Sequence, residues 1–409
     1  MSKLFFLTLF MAAATMLAAT SCTNSNAGNT SHSEETAIII SQDNEKPVTG
    51  AEQIDAYLPH LKNKNVALAV NHTSMVGQTH LADTLIELGV NVKTIFSPEH
   101  GFRGTADAGE LINNEKDAKT GLPVISLYGK NKKPSKEHLE GIDIVVFDLQ
   151  DVGARFYTYI STMHYIMEAC AELNKEVLIL DRPNPNGHYV DGPVLQPEHK
   201  SFVGIHPIPV VHGLTVGELA MMINGEGWLA NGVRPETKII TVKNYTHSTP
   251  YSLPIKPSPN LPNDLSIKLY PSLCFFEGTP ISVGRGTDAP FQIAGAPNSA
   301  FGNFTFTPVS MEGAAKNPMF ENKKCYGRDF RTEKVKEGLN LEYLIYFYNK
   351  SDNKEKFFNS FFEKLAGTSK LRKQITEGWS EEKIKESWKE ELEDYKTIRK
   401  KYLLYPDFE

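Results

Sequence analysis

A chain of 409 residues that is 40% hydrophobic, 10% aromatic and 22% charged is composed like a folded globular protein, which excludes a disordered chain, a disulfide scaffold and a collagen-like repeat. At about 150 residues per domain the length suggests two domains or three, each long enough to bury a core. Lys+Arg 43 against Asp+Glu 49 gives a formal charge of -6, so the cation excess that drives counterion release is missing and no nucleic-acid partner is expected.

The first predicted element belongs to export. Lys3 is followed by an almost wholly apolar run from Leu4 to Ala19, which closes on Ala19-Thr20-Ser21-Cys22. That run is shorter than the roughly 20 residues a membrane span needs, and small residues before a cysteine read as a lipoprotein cleavage box. Residues 1–22 are therefore expected to be a lipoprotein signal peptide with Cys22 as the lipidated residue. Residues 23–46, rich in Ser, Asn and Thr, are expected to be a flexible tether. This predicts an exported, membrane-anchored lipoprotein in the periplasm or at the cell envelope, touching membrane only through its lipid. The remaining cysteines, Cys170, Cys274 and Cys325, are odd in number and unpaired in spacing, so neither a disulfide framework nor a thiolate metal site is indicated.

From Ile54 the chain alternates short apolar runs with helical patterns, as parallel strands joined by crossover helices do. Val66 to Val70, Val92 to Phe96, Ile142 to Leu149 and Val177 to Leu180 read as buried strands, too uniformly apolar to be half exposed. Leu81 to Leu88 and Met163 to Leu173 supply helices between them, and Thr215-Val216-Gly217-Glu218 is a capping box that starts another. The pattern predicts an α/β fold with a doubly wound parallel sheet. After about Lys243 the prolines at 250, 254, 257, 259, 262 and 271 break up regular structure, which marks a boundary. The tail is predicted helical, with Ser380 as N-cap and Ile384, Trp388, Leu392, Tyr395, Ile398 and Tyr402 as one apolar stripe.

Unusual polar residues fall just past the carboxyl end of each predicted strand: Asn71-His72-Thr73, then Ser97-Pro98-Glu99-His100-Gly101, then Gln150 to Arg155, then Asp181-Arg182-Pro183-Asn184-Pro185. Ligands bind at that edge of an open parallel sheet. The opposite edge carries ordinary loop residues such as Lys64, Asn91 and Lys175. No glycine-rich turn follows the first strand, no Gly-x-x-x-x-Gly-Lys-Ser/Thr loop occurs and no Gly-x-Ser-x-Gly elbow is present, so no nucleotide cofactor and no serine hydrolase chemistry are indicated.

Glu99 lies between Pro98 and His100-Gly101 at a strand end, where partial desolvation suits a general acid; alternatively it caps the turn or pairs with Arg103. Glycoside hydrolysis needs such an acid, assisted by a second carboxylate or by the substrate's own N-acetyl group. Asp148, Asp151, Asp181, Glu277 and Asp288 are the available carboxylates, Asp148 with an equal claim to a structural role. Arg155 and Arg182 either grip an anionic substituent or pair with one of these aspartates. Tyr157 and Tyr159 either stack on a sugar or pack in the core. His72, His100 and His212 with Asp148 or Asp181 form no compact metal-ligand motif, and no metal is expected.

These motifs, together with Gly284-Arg285-Gly286-Thr287-Asp288, occur in one order, and the chain resembles the exo-β-N-acetylmuramidases of the NamZ type, glycoside hydrolase family 171. The resemblance runs from about Lys64 to Tyr402-Leu403-Leu404-Tyr405. It implies a Rossmann-like catalytic domain over residues 47–243, a smaller α/β (α+β) C-terminal domain over 244–409, and an active site in the cleft between them. It also implies release of terminal N-acetylmuramic acid from the non-reducing ends of peptidoglycan fragments without a cofactor. Glu99 falls on the family's catalytic glutamate, with Asp151 and His100 beside it. Asn71, His72, Arg155, Tyr157, Asp181, Arg182, Glu277 and Arg285 match positions that line a substrate pocket. Pro280 departs from the pattern, since related sequences carry a polar residue there. The lactyl carboxylate of muramic acid calls for an arginine, and Arg155, Arg182 and Arg285 are the candidates. Two other readings stand beside this one: a muropeptide-binding lipoprotein without catalysis, and a metal-dependent esterase or deacetylase on cell-wall glycans.

Overall fold

A computed structural model of the chain describes residues 45–103 and 115–409. The expected signal peptide, Cys22 and the tether up to residue 44 lie outside the described residues. Glu45–Glu409 form one compact unit.

The amino-terminal part begins with α1 (Ile54–Leu61) and β1 (Asn65–Val70), followed by a small hairpin of β2 (Met75–Val76) and β3 (Thr79–His80). Then come α2 (Leu81–Glu87), β4 (Asn91–Ser97), β5 (Glu115–Lys116), β6 (Pro123–Ser126), β7 (Ile144–Asp148), α3 (Tyr159–Glu172), β8 (Glu176–Leu180), α4 (Val216–Gly225) and β9 (Thr237–Ile240). Six strands run parallel in the order β6-β4-β1-β7-β8-β9, and β5 adds an antiparallel edge to β6. Among the parallel strands this is the 3-2-1-4-5-6 order of a Rossmann-type sheet, with its reversal between β1 and β7.

The uniform apolarity of the strands follows from helices on both faces. Along β1, Ala67 and Ala69 enter a core shared with Met163 and Met167 of α3 and with Leu219 and Ile223 of α4. Val66, Leu68 and Val70 enter a second core with Tyr57 and Leu61 of α1 and Leu81 and Leu85 of α2. Each valine, leucine, isoleucine or methionine among them contributes about 1.5–3 kcal/mol on burial. The capping box at α4 is formed, with Glu218 N donating to Thr215 Oγ1 at 3.2 Å and Thr215 N donating to Glu218 Oε2 at 2.8 Å.

A smaller carboxy-terminal region follows an irregular stretch after Ile240. It contains α5 (Asp264–Leu273), β10 (Ile293–Ala296), β11 (Phe304–Phe306), β12 (Cys325–Asp329), α6 (Glu342–Lys350), α7 (Ser360–Ala366), α8 (Lys370–Thr376), α9 (Glu381–Glu386) and α10 (Lys389–Arg399). Its strands form an antiparallel sheet in the order β10-β12-β11. The first core continues into this region through Phe275, Phe276, Phe347, Trp388 and Tyr395.

Three expectations change. α3 begins at Tyr159, a turn earlier than Met163. β6 and β9 complete the parallel sheet where no strand was expected. The tail stripe is divided between α9 and α10, with Ile384, Trp388, Leu392 and Tyr395 buried and Ile398 and Tyr402 half-buried. Ser380 caps α9, its side chain accepting from Lys383 N. Among the described residues no helix is long and apolar enough to cross a membrane.

Candidate active site

The carboxyl ends of β4 and β7 open onto a cavity of about 190 Å3 whose far wall comes from the carboxy-terminal region. The turn after β4 brings Glu99 and His100 to it. His100 adopts φ 71° and Gly101 φ 76°, and a histidine in the left-handed region is held there only because its surroundings fix it. Its Nε2 lies 3.3 Å from Ser258 Oγ, a residue of the wall opposite. Glu99 is half-buried, and its Oε2 accepts a 3.2 Å hydrogen bond from Thr158 Oγ1 at the start of α3. Tyr128 is hydrogen-bonded to Glu99 as well. Burial and the nearby Glu99 and Glu277 carboxylates push its phenol well up, which keeps it a donor.

Tyr157 and Tyr159 stand edge to face with ring centroids 4.8 Å apart, and Tyr270 of α5 meets Tyr157 at 5.9 Å. The Tyr157 hydroxyl donates to Pro257 O at 2.8 Å, so one phenol spans both walls. Phe202 and Phe361, both half-buried, complete the aromatic lining. From the carboxy-terminal side α5, capped by Asn263, runs into a 3-10 turn at Cys274–Gly278 that carries Glu277. Arg285 reaches it from a turn flanked by Gly284 and Gly286 at φ 81° and 80°, which only glycine adopts without strain. Arg285 Nε and Nη2 donate to Glu277 Oε1 at 3.1 and 2.6 Å.

Comparison with known proteins identifies this architecture. The family model described as exo-β-N-acetylmuramidase NamZ, N-terminal, matches residues 66–265, and its C-terminal counterpart matches residues 268–405. The chain belongs to the NamZ family. The peptidoglycan β-N-acetylmuramidase NamZ of Bacillus subtilis (strain 168) is 39% identical over 383 residues, covering 86% of this chain and 90% of that protein. A crystal structure of a DUF1343-family protein from Bacteroides fragilis superposes with a TM-score of 0.83 at 52% identity, covering 89% of this chain and all of the other. A second DUF1343-family structure from that organism gives 0.73 at 29% identity, covering 88% of this chain and 99% of its own.

Of the residues that match NamZ motifs, Glu99, His100, Tyr157, Glu277 and Arg285 line the cavity. Others do not. Arg155 is wholly buried, and its Nη1 and Nη2 donate to the carbonyls of Pro193, Ile208, Leu365 and Ala366 at 2.7–2.9 Å, so it clamps three backbone segments and is not free to hold an anion. Arg182 makes a two-pronged ion pair with Asp148, Nε to Oδ1 at 2.5 Å and Nη2 to Oδ2 at 2.9 Å, both residues buried. Asp181 accepts from Thr215 Oγ1, Gly217 N, Tyr405 Oη and Arg182 N, tying the chain's end to the sheet; burial pushes its carboxyl up to about 6 against these four donors. These are corrections: the three side chains hold the fold and leave nothing for substrate.

Asp151 also lies off the cavity, its Oδ2 accepting from Gly153 N at 2.6 Å and standing 3.7 Å from His212 Nε2. Asn71 acts one step back, donating to the Tyr159 hydroxyl at 2.8 Å, and His72 Nε2 is 2.9 Å from Lys256 O. Arg103 pairs with Asp117 and Asp83 and does not engage Glu99. Asp288 and Pro280 are exposed and line no part of the cavity. His72, His100 and His212 do not converge with Asp148 or Asp181; among the described residues the group of acidic or histidine ligands that converges is Glu342, Glu381 and Glu382, on the surface side of α6 and α9. Tyr128, Thr158 and Phe202 were not foreseen as cavity residues.

Proposed function

We propose that the chain is an exo-acting glycoside hydrolase that releases terminal β-linked N-acetylmuramic acid from the non-reducing end of peptidoglycan fragments, with Glu99 as general acid/base. The observation that carries this reading is the position of Glu99, held by Thr158 and Tyr128 on the wall of an aromatic-lined cavity of about 190 Å3. That volume lies below the roughly 300–1,000 Å3 of pockets for larger ligands, which favours a chain terminus over an extended stretch of glycan. Membership of the NamZ family supports the substrate class.

The glycosidic oxygen is a poor leaving group until it is protonated, and Glu99 supplies that proton. Of the carboxylates considered, Glu277 alone shares the cavity with Glu99, and it takes the second role at the positively charged transition state. Its Oε1 is held by Arg285, and among the described residues its Oε2 has only the weak thiol of Cys274 at 4.0 Å. Tyr157, Tyr159 and Tyr270 border the cavity as a buried, mutually packed aromatic wall.

Incubation with a disaccharide of N-acetylmuramic acid β-linked to N-acetylglucosamine tests the reading. Release of both free sugars is expected. Binding without cleavage would replace it with a capture lipoprotein, and release of acetate would replace it with a deacetylase. We also propose that residues 1–22 direct export and that Cys22 carries lipid, which sets this chemistry at the envelope. Incorporation of labelled palmitate, abolished in Cys22→Ser, is the expected result.

A further inference from the structure

Among the described residues, the Arg285 guanidinium is engaged on one edge only. Nε and Nη2 share a single acceptor, Glu277 Oε1, whereas Nη1 is buried and has no hydrogen-bond partner. A buried charged N–H without an acceptor is costly, and native sites keep one where a ligand or water completes it. The plane of the guanidinium is fixed, since Arg285 lies over the Phe291 ring at 5.1 Å and Glu277 holds its inner edge. Nη1 and Nη2 together form the edge that matches a carboxylate with two parallel hydrogen bonds.

Among the described residues lining the cavity, Arg285 is the only lysine or arginine. The other two arginines considered for an anion are spent, Arg155 on four carbonyls and Arg182 on Asp148. The Glu277–Arg285 pair carries no net charge, so a diffuse positive field is not what draws an anion here. Selection falls to the geometry of the buried N–H edge that lacks an acceptor.

We infer that Arg285 is the specificity-determining residue that binds the lactyl carboxylate of the terminal sugar through Nη1 and Nη2, with Glu277 as the residue that positions it. This rests on the reading of the cavity as an N-acetylmuramic acid site. N-acetylglucosamine lacks the 3-O-lactyl group and leaves Nη1 unpaired, so the same contact that accepts one amino sugar penalises the other.

The test is calorimetric binding of N-acetylmuramic acid and of its lactyl amide, a neutral analogue of nearly the same shape, to the whole protein and to Arg285→Met and Arg285→Lys. The unaltered protein should prefer the acid by about 10–100-fold, and Arg285→Met should reduce that preference to below about 3-fold. Arg285→Lys should keep part of it, because it retains the charge without the fork. Equal binding of acid and amide by the unaltered protein, or an undiminished preference in Arg285→Met, overturns the inference. Should Arg285→Met fail to fold, the unaltered protein and Arg285→Lys still decide it. A clear preference for the acid in a protein that releases no sugar would reject the hydrolase reading and leave this inference standing; hydrolysis without that preference would do the reverse.

Discussion

Thr158 Oγ1 donates a 3.2 Å hydrogen bond to Oε2 of Glu99, so the residue that opens α3 also sets the orientation of the cavity's half-buried acid. One element of the sheet's first core thereby aims a side chain carried by the turn after β4. Replacing Thr158 with Val removes the donor at nearly constant volume. kcat should fall by about 10-fold with KM nearly unchanged, as for a bond that matters most when charge develops on the acid. A drop in thermal stability with unaltered kcat would mean that Thr158 serves the helix start instead.

Asp148 and Arg182 form a buried pair beside the reversal point of the sheet. Asp148→Asn leaves the guanidinium without its counter-charge and should cost about 3–5 kcal/mol in urea unfolding, whereas Asp148→Leu combined with Arg182→Met should recover most of that loss. Equal losses in the single and the double variant would show that the pair is not coupled.

Arg155 offers a sharper contrast, because its two possible roles predict opposite signatures. As a clamp on Pro193, Ile208, Leu365 and Ala366, its replacement by Met strands four buried acceptors and should destabilise by more than about 3 kcal/mol. As a substrate ligand, its loss would raise KM and leave the denaturation midpoint in place. The first pattern is expected.

His164 Nδ1 lies 3.0 Å from His206 Nε2, and both rings are buried. Burial draws His164 down from 6.5 to about 4 and His206 well below the ordinary histidine range. The folded value lies below the unfolded one, so the unfolded chain binds more protons within this window. Stability is complete above pH 6.5 and is lost as pH falls towards 4, by about 3 kcal/mol for His164 alone. Asp181, raised to about 6 by burial, acts in the opposite sense, losing stability as pH rises through that value. The comparison with His164→Asn isolates the histidine: urea unfolding of that variant should lose less stability on acidification than the unaltered protein does. A parallel decline in both would contradict the assignment.

Much of the fold was legible because burial on two faces writes itself into sequence. Val66 to Val70 and Val177 to Leu180 are apolar at every position, since alternate residues enter different cores. β6 and β9 were not legible: one is four residues long and starts with Pro123, and the other has polar Thr237 and Lys238 in a four-residue run at the sheet edge. α3 hid its first turn because Tyr159, Ile160 and Thr162 are residue types that favour strands. At the site, strand-end position marked Glu99 and His100, yet the same position also holds Arg182 and Asp181. Whether such a charge faces a cavity or a buried partner depends on Asp148, Thr215 and Tyr405, which lie 34, 34 and 224 residues away. Tyr128, Phe202 and Phe361 come from three unrelated segments, and no local pattern announces that they meet.

Glu99→Gln keeps the size of the side chain and removes its proton. With the disaccharide of N-acetylmuramic acid β-linked to N-acetylglucosamine, whose sugar leaving group must be protonated, kcat should fall by about 10²–10⁴-fold while affinity for N-acetylmuramic acid and the unfolding midpoint stay within error of the unaltered protein. Turnover undiminished in that variant would contradict Glu99 as the proton donor and move the chemistry to another group in the cavity.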